Sequence, residues 1–227
     1  MRVFGKNVFN ELKNNPKQIR KVYLSANFND KEIIEFIKSS KIPYVTVEKH
    51  KFDTMVEGKT QGIILDINEY EYKNIKDLDT TEKKVVILDH LEDPHNFGAI
   101  IRTCEAYGVK SIIIPKDRSV VVNATVMKTS TGALEYVDIY QVTNLKNAIE
   151  YLKDKGYFVY GAEADGKDYM EVDYAPKMVL VIGSEGFGMS KIVRDACDEI
   201  ISIPMNGHVN SLNASVSFGV LIYGIKN

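Results

Sequence analysis

The second half of this chain carries a series of short apolar runs that leave few folds open. "VVILD" (85–89), "SIIIP" (111–115) and "VLVIGS" (179–184) are near-continuous in Val, Ile and Leu, with no polar alternation. Strands that read this way are buried on both faces, the condition of a parallel sheet covered by helices. "VDIYQV" (137–142), "YFVYGA" (157–162) and "EIISIP" (199–204) extend the set, and helical stretches separate most of them. The fold class is therefore α/β, with a parallel sheet over residues 84–227.

The first part of the chain alternates more loosely. "KNVFNELKNN" reads as a helix, "KVYLSA" as a strand, and "DKEIIEFIKSS" as a helix with Asp30 at its N-cap. "PYVTVE" and "GIILDI" follow as strands. These form a small α/β domain over residues 1–70. The polar, charged stretch that follows has no apolar period, so residues 71–83 read as a linker. The closing stretch "NASVSFGVLIYGI" has no charged residue and no polar face. Such a helix must be covered on more than one side. It lies deep in the fold or packs on a second copy of the chain, and a C-terminal helix is seldom a domain's centre.

Charge and cysteine usage exclude several classes. Net charge is −2, so no global basicity announces nucleic acid. Residues 1–25 nevertheless carry Arg2, Lys6, Lys13, Lys17, Arg20 and Lys21 against Glu11 alone. That excess suits either a solvated helix face or a phosphate-contacting patch. Cys104 and Cys197 stand without metal-site or disulfide-framework spacing, which leaves buried thiols and no expected metal. No apolar run reaches the ~20 residues of a membrane span, and the start lacks a signal-peptide core, so a cytoplasmic location is expected.

Two glycine-bearing stretches test for nucleotide binding, and both fail. "GAEADGKD" (161–168) approaches the phosphate-loop pattern but places Asp168 where a hydroxyl must hold magnesium. "GSEGFGM" (183–189) follows a strand but spaces its glycines G-x-x-G-x-G, which is not the dinucleotide fingerprint.

Three loops remain, each following a strand: "DPHNFGAIIR", "GSEGFGM" and "PMNGHVNSLNAS". Loops at the carboxyl ends of parallel strands gather on one edge, where ligands bind. They can bring Asn96, Arg102, Glu185, Ser211 and Asn213 to one pocket. Each residue has a plain alternative as a turn former, cap or surface ion-pair partner; all five being plain together is the weaker account.

In that order, the three segments resemble the SpoU/TrmH family of S-adenosylmethionine-dependent RNA ribose 2′-O-methyltransferases. Asn96, Gly98 and Arg102 match the first motif, Gly183, Glu185, Gly186 and Gly188 the second. Ile203, Pro204, Met205, Ser211, Leu212 and Asn213 match the third. "IPKDRSVVVNATV" and "CDEIISIPMNGHVNSLNASVS" resemble members acting on a guanosine of large-subunit (23S) ribosomal RNA. The resemblance implies a SPOUT domain with a trefoil knot, a homodimer with its site at the subunit interface, and an N-terminal RNA-binding domain similar to small ribosomal proteins. It implies S-adenosylmethionine held at Gly183, Ile203, Met205 and Leu212, largely by backbone groups. It also implies catalytic roles for Asn96, Arg102, Glu185, Ser211 and Asn213. Arginine stays protonated in proteins, so Arg102 is read as an electrostatic clamp rather than a base.

Departures are few. Ala214 stands where the family pattern suggests a β-branched residue, and "NGHVN" is more polar than expected; His208 and Asn210 read as exposed loop residues, with RNA contact the alternative. His95 is tempting as a base, but the motif does not depend on histidine there. The alternatives are a transfer RNA substrate, or a non-catalytic RNA-binding assembly protein of the same fold.

Overall fold

A computed structural model describes residues 1–208 and 211–225. Asn210 lies outside them. The chain forms two units, one of residues 1–71 with 122–131, the other of residues 72–121 with 132 onward.

The first unit holds β1 (Arg2–Phe4), α1 (Lys6–Leu12), β2 (Ile19–Ser25), α2 (Lys31–Ser39), β3 (Tyr44–Val47), α3 (Lys49–Asp53) and β4 (Ile63–Ile67). Its sheet order is β1-β4-β2-β3, with β2 and β3 parallel and the other pairs antiparallel. Asp30 caps α2 by accepting from the Ile33 N–H at 3.3 Å, as the sequence suggests. Val3, Phe9, Leu12, Val22, Ile37 and Leu65 form the centre of its core. The helix Ala124–Ser130 belongs to this unit although the sequence assigns it to the C-terminal domain, because Ala124 and Met127 pack on that core. Much of the basic excess is neutralised locally. Arg2 pairs with Asp66, Lys6 with Asp30 and Lys13 with Glu32, leaving Lys17, Arg20 and Lys21 without an ion pair among the described residues.

The second unit is a six-stranded parallel sheet. Its elements are β5 (Lys84–Asp89), α4 (Pro94–Tyr107), β6 (Ser111–Pro115), β7 (Asp138–Val142), α6 (Leu145–Asp154), β8 (Phe158–Asp168), β9 (Met178–Gly183), α7 (Lys191–Ala196), β10 (Glu199–Ser202) and α8 (Ala214–Gly224), the helix at 124–130 being α5. The order is β10-β8-β9-β5-β6-β7. The Val/Ile runs are buried throughout, as parallel strands between helices must be. The expected linker is instead folded. Lys73 donates its N–H to the Ile139 carbonyl at 2.9 Å and pairs with Asp138, covering the edge strand β7, while Leu78 enters the core. Strand β8 runs six residues past its apolar stretch, and its register with β10 jumps between Ile200 and Ile201, so 162–166 bulges out.

Burial governs both thiols. Cys104 is fully enclosed and its pKa stands well above the ordinary range; Cys197 is pushed up to about 12 and donates to the Val193 carbonyl. Neither thiol is therefore expected to react with Ellman's reagent at pH 8 in the folded protein, and both should react in guanidinium. Fast reaction of either in the native state would contradict this packing. Among the described residues, no helix is long and apolar enough to cross a membrane.

Candidate active site

Strands β5, β9 and β10 end on one edge of the parallel sheet, and the three loops that leave them meet there. The first runs into α4, whose start is set by local chemistry. The Asp93 carboxylate accepts the N–H groups of His95 and Asn96 at 3.1 and 3.3 Å, and Pro94 occupies the first turn. Capping buries Asn96 to 5% exposure. The third loop ends similarly. Asn213 caps α8, its Oδ1 accepting from Ser215 N–H at 3.0 Å and from Val216 N–H at 3.3 Å.

The middle loop is a tight reversal. Ser184 and Gly188 exchange reciprocal backbone hydrogen bonds of 3.0 Å each. Gly186 and Gly188 adopt φ of +84° and +67°, where other residues are strained. The loop's far end is pinned by two carboxylates. Glu163, from the β8 bulge, accepts the Met189 N–H at 2.6 Å, and Asp89, fully buried at the end of β5, accepts the Ser190 N–H at 2.6 Å.

Glu185 stands at the tip of this loop and joins all three segments. Its Oε1 accepts from Asn96 Nδ2 at 2.7 Å, from Asn213 Nδ2 at 2.6 Å and from the Ala214 N–H at 3.3 Å. Asn213 Nδ2 also donates to Asn96 Oδ1 at 2.9 Å. An ionised carboxylate only accepts, so both amide NH2 groups must face it, and this fixes the orientation of both asparagines.

Beside the cluster lies a cleft of about 670 Å³. Gly183, Ile203, Met205, Ser211 and Leu212 line it together with Glu185 and Asn213. Seven of the nine residues singled out from sequence thus share one cavity wall, and Asn96 is bonded to two of them. Arg102 is not brought there. It lies six residues after Asn96, about a third of a turn round α4, exposed, and without a hydrogen bond or ion pair among the described residues. His95 and His208 are exposed and line no part of the cleft.

Sequence reasoning missed Ala162, Glu163 and Ala164, which also line the cleft. The "GAEADGKD" stretch read as an ordinary loop because it failed as a phosphate loop. Its real signal is Gly166, where a Cβ would come within 2.5 Å of the Ile201 backbone, so close strand contact and not phosphate explains the glycine. Among the described residues the lining holds two acids, Glu163 and Glu185, and no Lys or Arg. Such a wall tolerates a cationic ligand.

Comparison with known proteins now adds to the geometry. A model of the SpoU rRNA Methylase family matches residues 83–223, and one for RNA 2′-O ribose methyltransferase substrate binding matches residues 2–73. The chain belongs to the SpoU rRNA methylase family. A Staphylococcus saprophyticus protein assigned to the TrmH family of tRNA/rRNA methyltransferases is 46% identical over 201 residues, covering 86% of this chain and 81% of its own. YacO of Bacillus subtilis, assigned to the same family, is 40% identical over 233 residues, covering 98% and 94%. In fold, the chain is similar to the SpoU methyltransferase AviRb from Streptomyces viridochromogenes, solved with AdoMet. The TM-score is 0.86 at 21% identity, over 99% of this chain and 88% of that one. The three loops that carry the resemblance meet on the second unit, through the Asn96, Glu185 and Asn213 hydrogen bonds.

Proposed function

We propose that this SpoU protein transfers a methyl group from S-adenosylmethionine to a ribose 2′-hydroxyl of RNA, with a guanosine of large-subunit (23S) ribosomal RNA as the acceptor. The observation that carries the reading is the convergence of Asn96, Glu185 and Asn213, from segments far apart in sequence, at the rim of a cleft with acidic and apolar walls. The donor set suits a sulfonium compound. Ile203, Met205 and Leu212 offer apolar surface, Ser211 a hydroxyl, and the Gly183 segment close backbone approach, with no cation among the described lining residues to oppose the positive sulfur. When bound, S-adenosylmethionine supplies an electrophilic methyl group on sulfur. The chain's own task is to orient the acceptor and to exclude water, and correct positioning is worth about 7–11 kcal/mol.

Asn96 and Asn213, locked by Glu185, present fixed polar groups to a ribose-phosphate. Arg102, exposed and unpaired, is free to meet an RNA phosphate or a developing alkoxide as a fixed positive charge. Lys17, Arg20 and Lys21 on the first unit supply cations for RNA, consistent with the family description of residues 2–73. The chain also works as a homodimer in this reading. Helix α8 buries Phe218, Leu221 and Ile222 but leaves Val216 half exposed and Tyr223 60% exposed, an apolar face suited to a second copy.

The test is transfer of labelled methyl to unmodified large-subunit ribosomal RNA, with the Arg102→Ala protein alongside. The wild type should label one guanosine ribose. The variant should bind RNA within a few-fold and lose roughly 100-fold or more in rate. Labelling of transfer RNA alone would move the substrate. Silence on both RNAs would favour a non-catalytic assembly protein.

A further inference from the structure

A second cleft, of about 560 Å³, opens on the other side of the Gly183–Met189 loop. Ser184, Glu185 and Gly188 belong to both walls, so the two clefts border the same loop. The rest of its wall differs in chemistry from the first: His90, Glu92, Asp93, Arg118 and Phe187.

Phe187 is 94% exposed, an unusual state for a phenyl ring on a loop this constrained. The reciprocal Ser184–Gly188 bonds and the two left-handed glycines hold the ring at the rim, with nothing of its own unit to cover it. Arg118 is likewise exposed, with φ of +50° and no hydrogen bond or ion pair among the described residues. His90 also has a left-handed backbone, φ +55°, uncommon for a residue with a side chain. Its Nδ1 is engaged by the buried Asp89 carboxylate. In the neutral ring Nδ1 then carries the hydrogen and Nε2 is the acceptor left for a ligand.

Two of the three acids lining this cleft, Asp93 and Glu185, already accept hydrogen bonds. Asp93 caps α4 and Glu185 holds the two asparagines, while Asp89, fully buried and outside the lining, holds His90 and the Ser190 N–H. Arg118 and Glu92 are the charged side chains of this lining that have no hydrogen bond or ion pair among the described residues. A cavity offering an aromatic face, one free cation, one free carboxylate and an imidazole acceptor has the chemistry of a single unstacked nucleotide.

We propose that this second cleft receives the acceptor nucleotide of an RNA strand. Phe187 stacks on its base, Arg118 meets its phosphate, Glu92 accepts from base-edge N–H groups, and His90 Nε2 accepts a ribose hydroxyl. This rests on the methyl-transfer reading for its role, but the binding it describes is measurable without any donor.

The experiment is irradiation at 254 nm of wild-type protein with in-vitro transcribed large-subunit ribosomal RNA, followed by mass spectrometry of the adducts, with Phe187→Ala and Phe187→Tyr in parallel. Because the side chain is exposed, neither substitution should disturb folding. The expected result is an adduct at Phe187, RNA affinity about 10-fold weaker in the alanine variant and kept in the tyrosine variant. Calorimetric affinity for S-adenosylmethionine should be unchanged in all three. Adducts confined to residues 1–71 with wild-type affinity in Phe187→Ala would overturn the proposal. So would a changed sedimentation state in that variant, which would make the ring a contact between copies. If the wild type crosslinks at Phe187 but methylates no RNA, the nucleotide cleft stands and the transfer reading falls.

Discussion

Replacing Glu185 by alanine is expected to lower kcat for methyl transfer by about 100- to 1,000-fold and to leave the fold in place. One oxygen of this carboxylate takes three donors, from Asn96, Asn213 and the Ala214 backbone. Hydrogen bonds to a charged group are each worth about 1.5–3 kcal/mol when the donors are desolvated. Asn96 and Ala214 are buried here, but Glu185 and Asn213 are exposed, so water can replace part of what is lost. The stability cost should therefore be about 1–2 kcal/mol, well short of the sum. The kinetic cost is larger because both asparagines lose the acceptor that sets their orientation, and small misplacements near reacting atoms are expensive. Glu185→Gln keeps an oxygen in place and should fall between wild type and alanine in rate with little change in Tm. The check is kcat at saturating RNA and donor, beside thermal unfolding of each variant. Wild-type kcat in the alanine protein would remove the cluster from the reaction. A Tm loss large enough to account for the activity loss would make it structural.

How far the sequence reaches depends on whether a feature is local. The parallel strands were legible because Val/Ile runs register burial directly, and Asp30 and Asn213 were legible because caps act within three residues. Seven of the nine proposed site residues reach the same cleft for a topological reason, since loops at one edge of a parallel sheet must converge. The failures are non-local. The stretch 71–83 looks like a linker because its few apolar residues, Ile75 and Leu78 among them, join a core assembled from strands and helices as far on as Val193, and Lys73 pairs with Asp138, 65 positions away. Helix α5 joins the first unit through Ala124 and Met127, and nothing in its own sequence reveals that. Glu163 was invisible for the same reason. Its meaning arises from a bulge in β8 that carries it to the Met189 N–H, and a bulge between parallel strands has no short signature. Arg102 stands apart: it is exposed on α4 and lines no part of the first cleft, and its proposed role rests on the motif it matches.

The glycine at the end of β9 should prove as sensitive as the glutamate, through a different physical cause. A Cβ on Gly183 would lie 2.2 Å from the Gly188 carbonyl carbon and 2.4 Å from the Met189 nitrogen. Both are backbone atoms, so no side chain can rotate away. Gly183 is held from the other side as well, in register with Asp89 of β5. In Gly183→Ala the loop must therefore move outward by roughly 1 Å, toward the 3.0–3.4 Å that tight Cβ contacts tolerate. That displacement strains the Ser184–Gly188 pair and the 2.6 Å bond from Met189 to Glu163, and it carries Glu185 away from the asparagines. A shift of about 1 Å is enough for a 100-fold loss, so kcat/KM should fall by at least that much, with calorimetric binding of S-adenosylmethionine weakened in step. Gly186→Ala makes the contrast. Its Cβ would meet open space, and the cost is the backbone strain of φ +84°, about 1–2 kcal/mol. That variant should lose stability while retaining donor affinity within a few-fold. If Gly183→Ala binds the donor as the wild type does, the Gly183–Met189 loop does not shape the first cleft, and the donor must be held by the β8 bulge and the 203–213 segment alone.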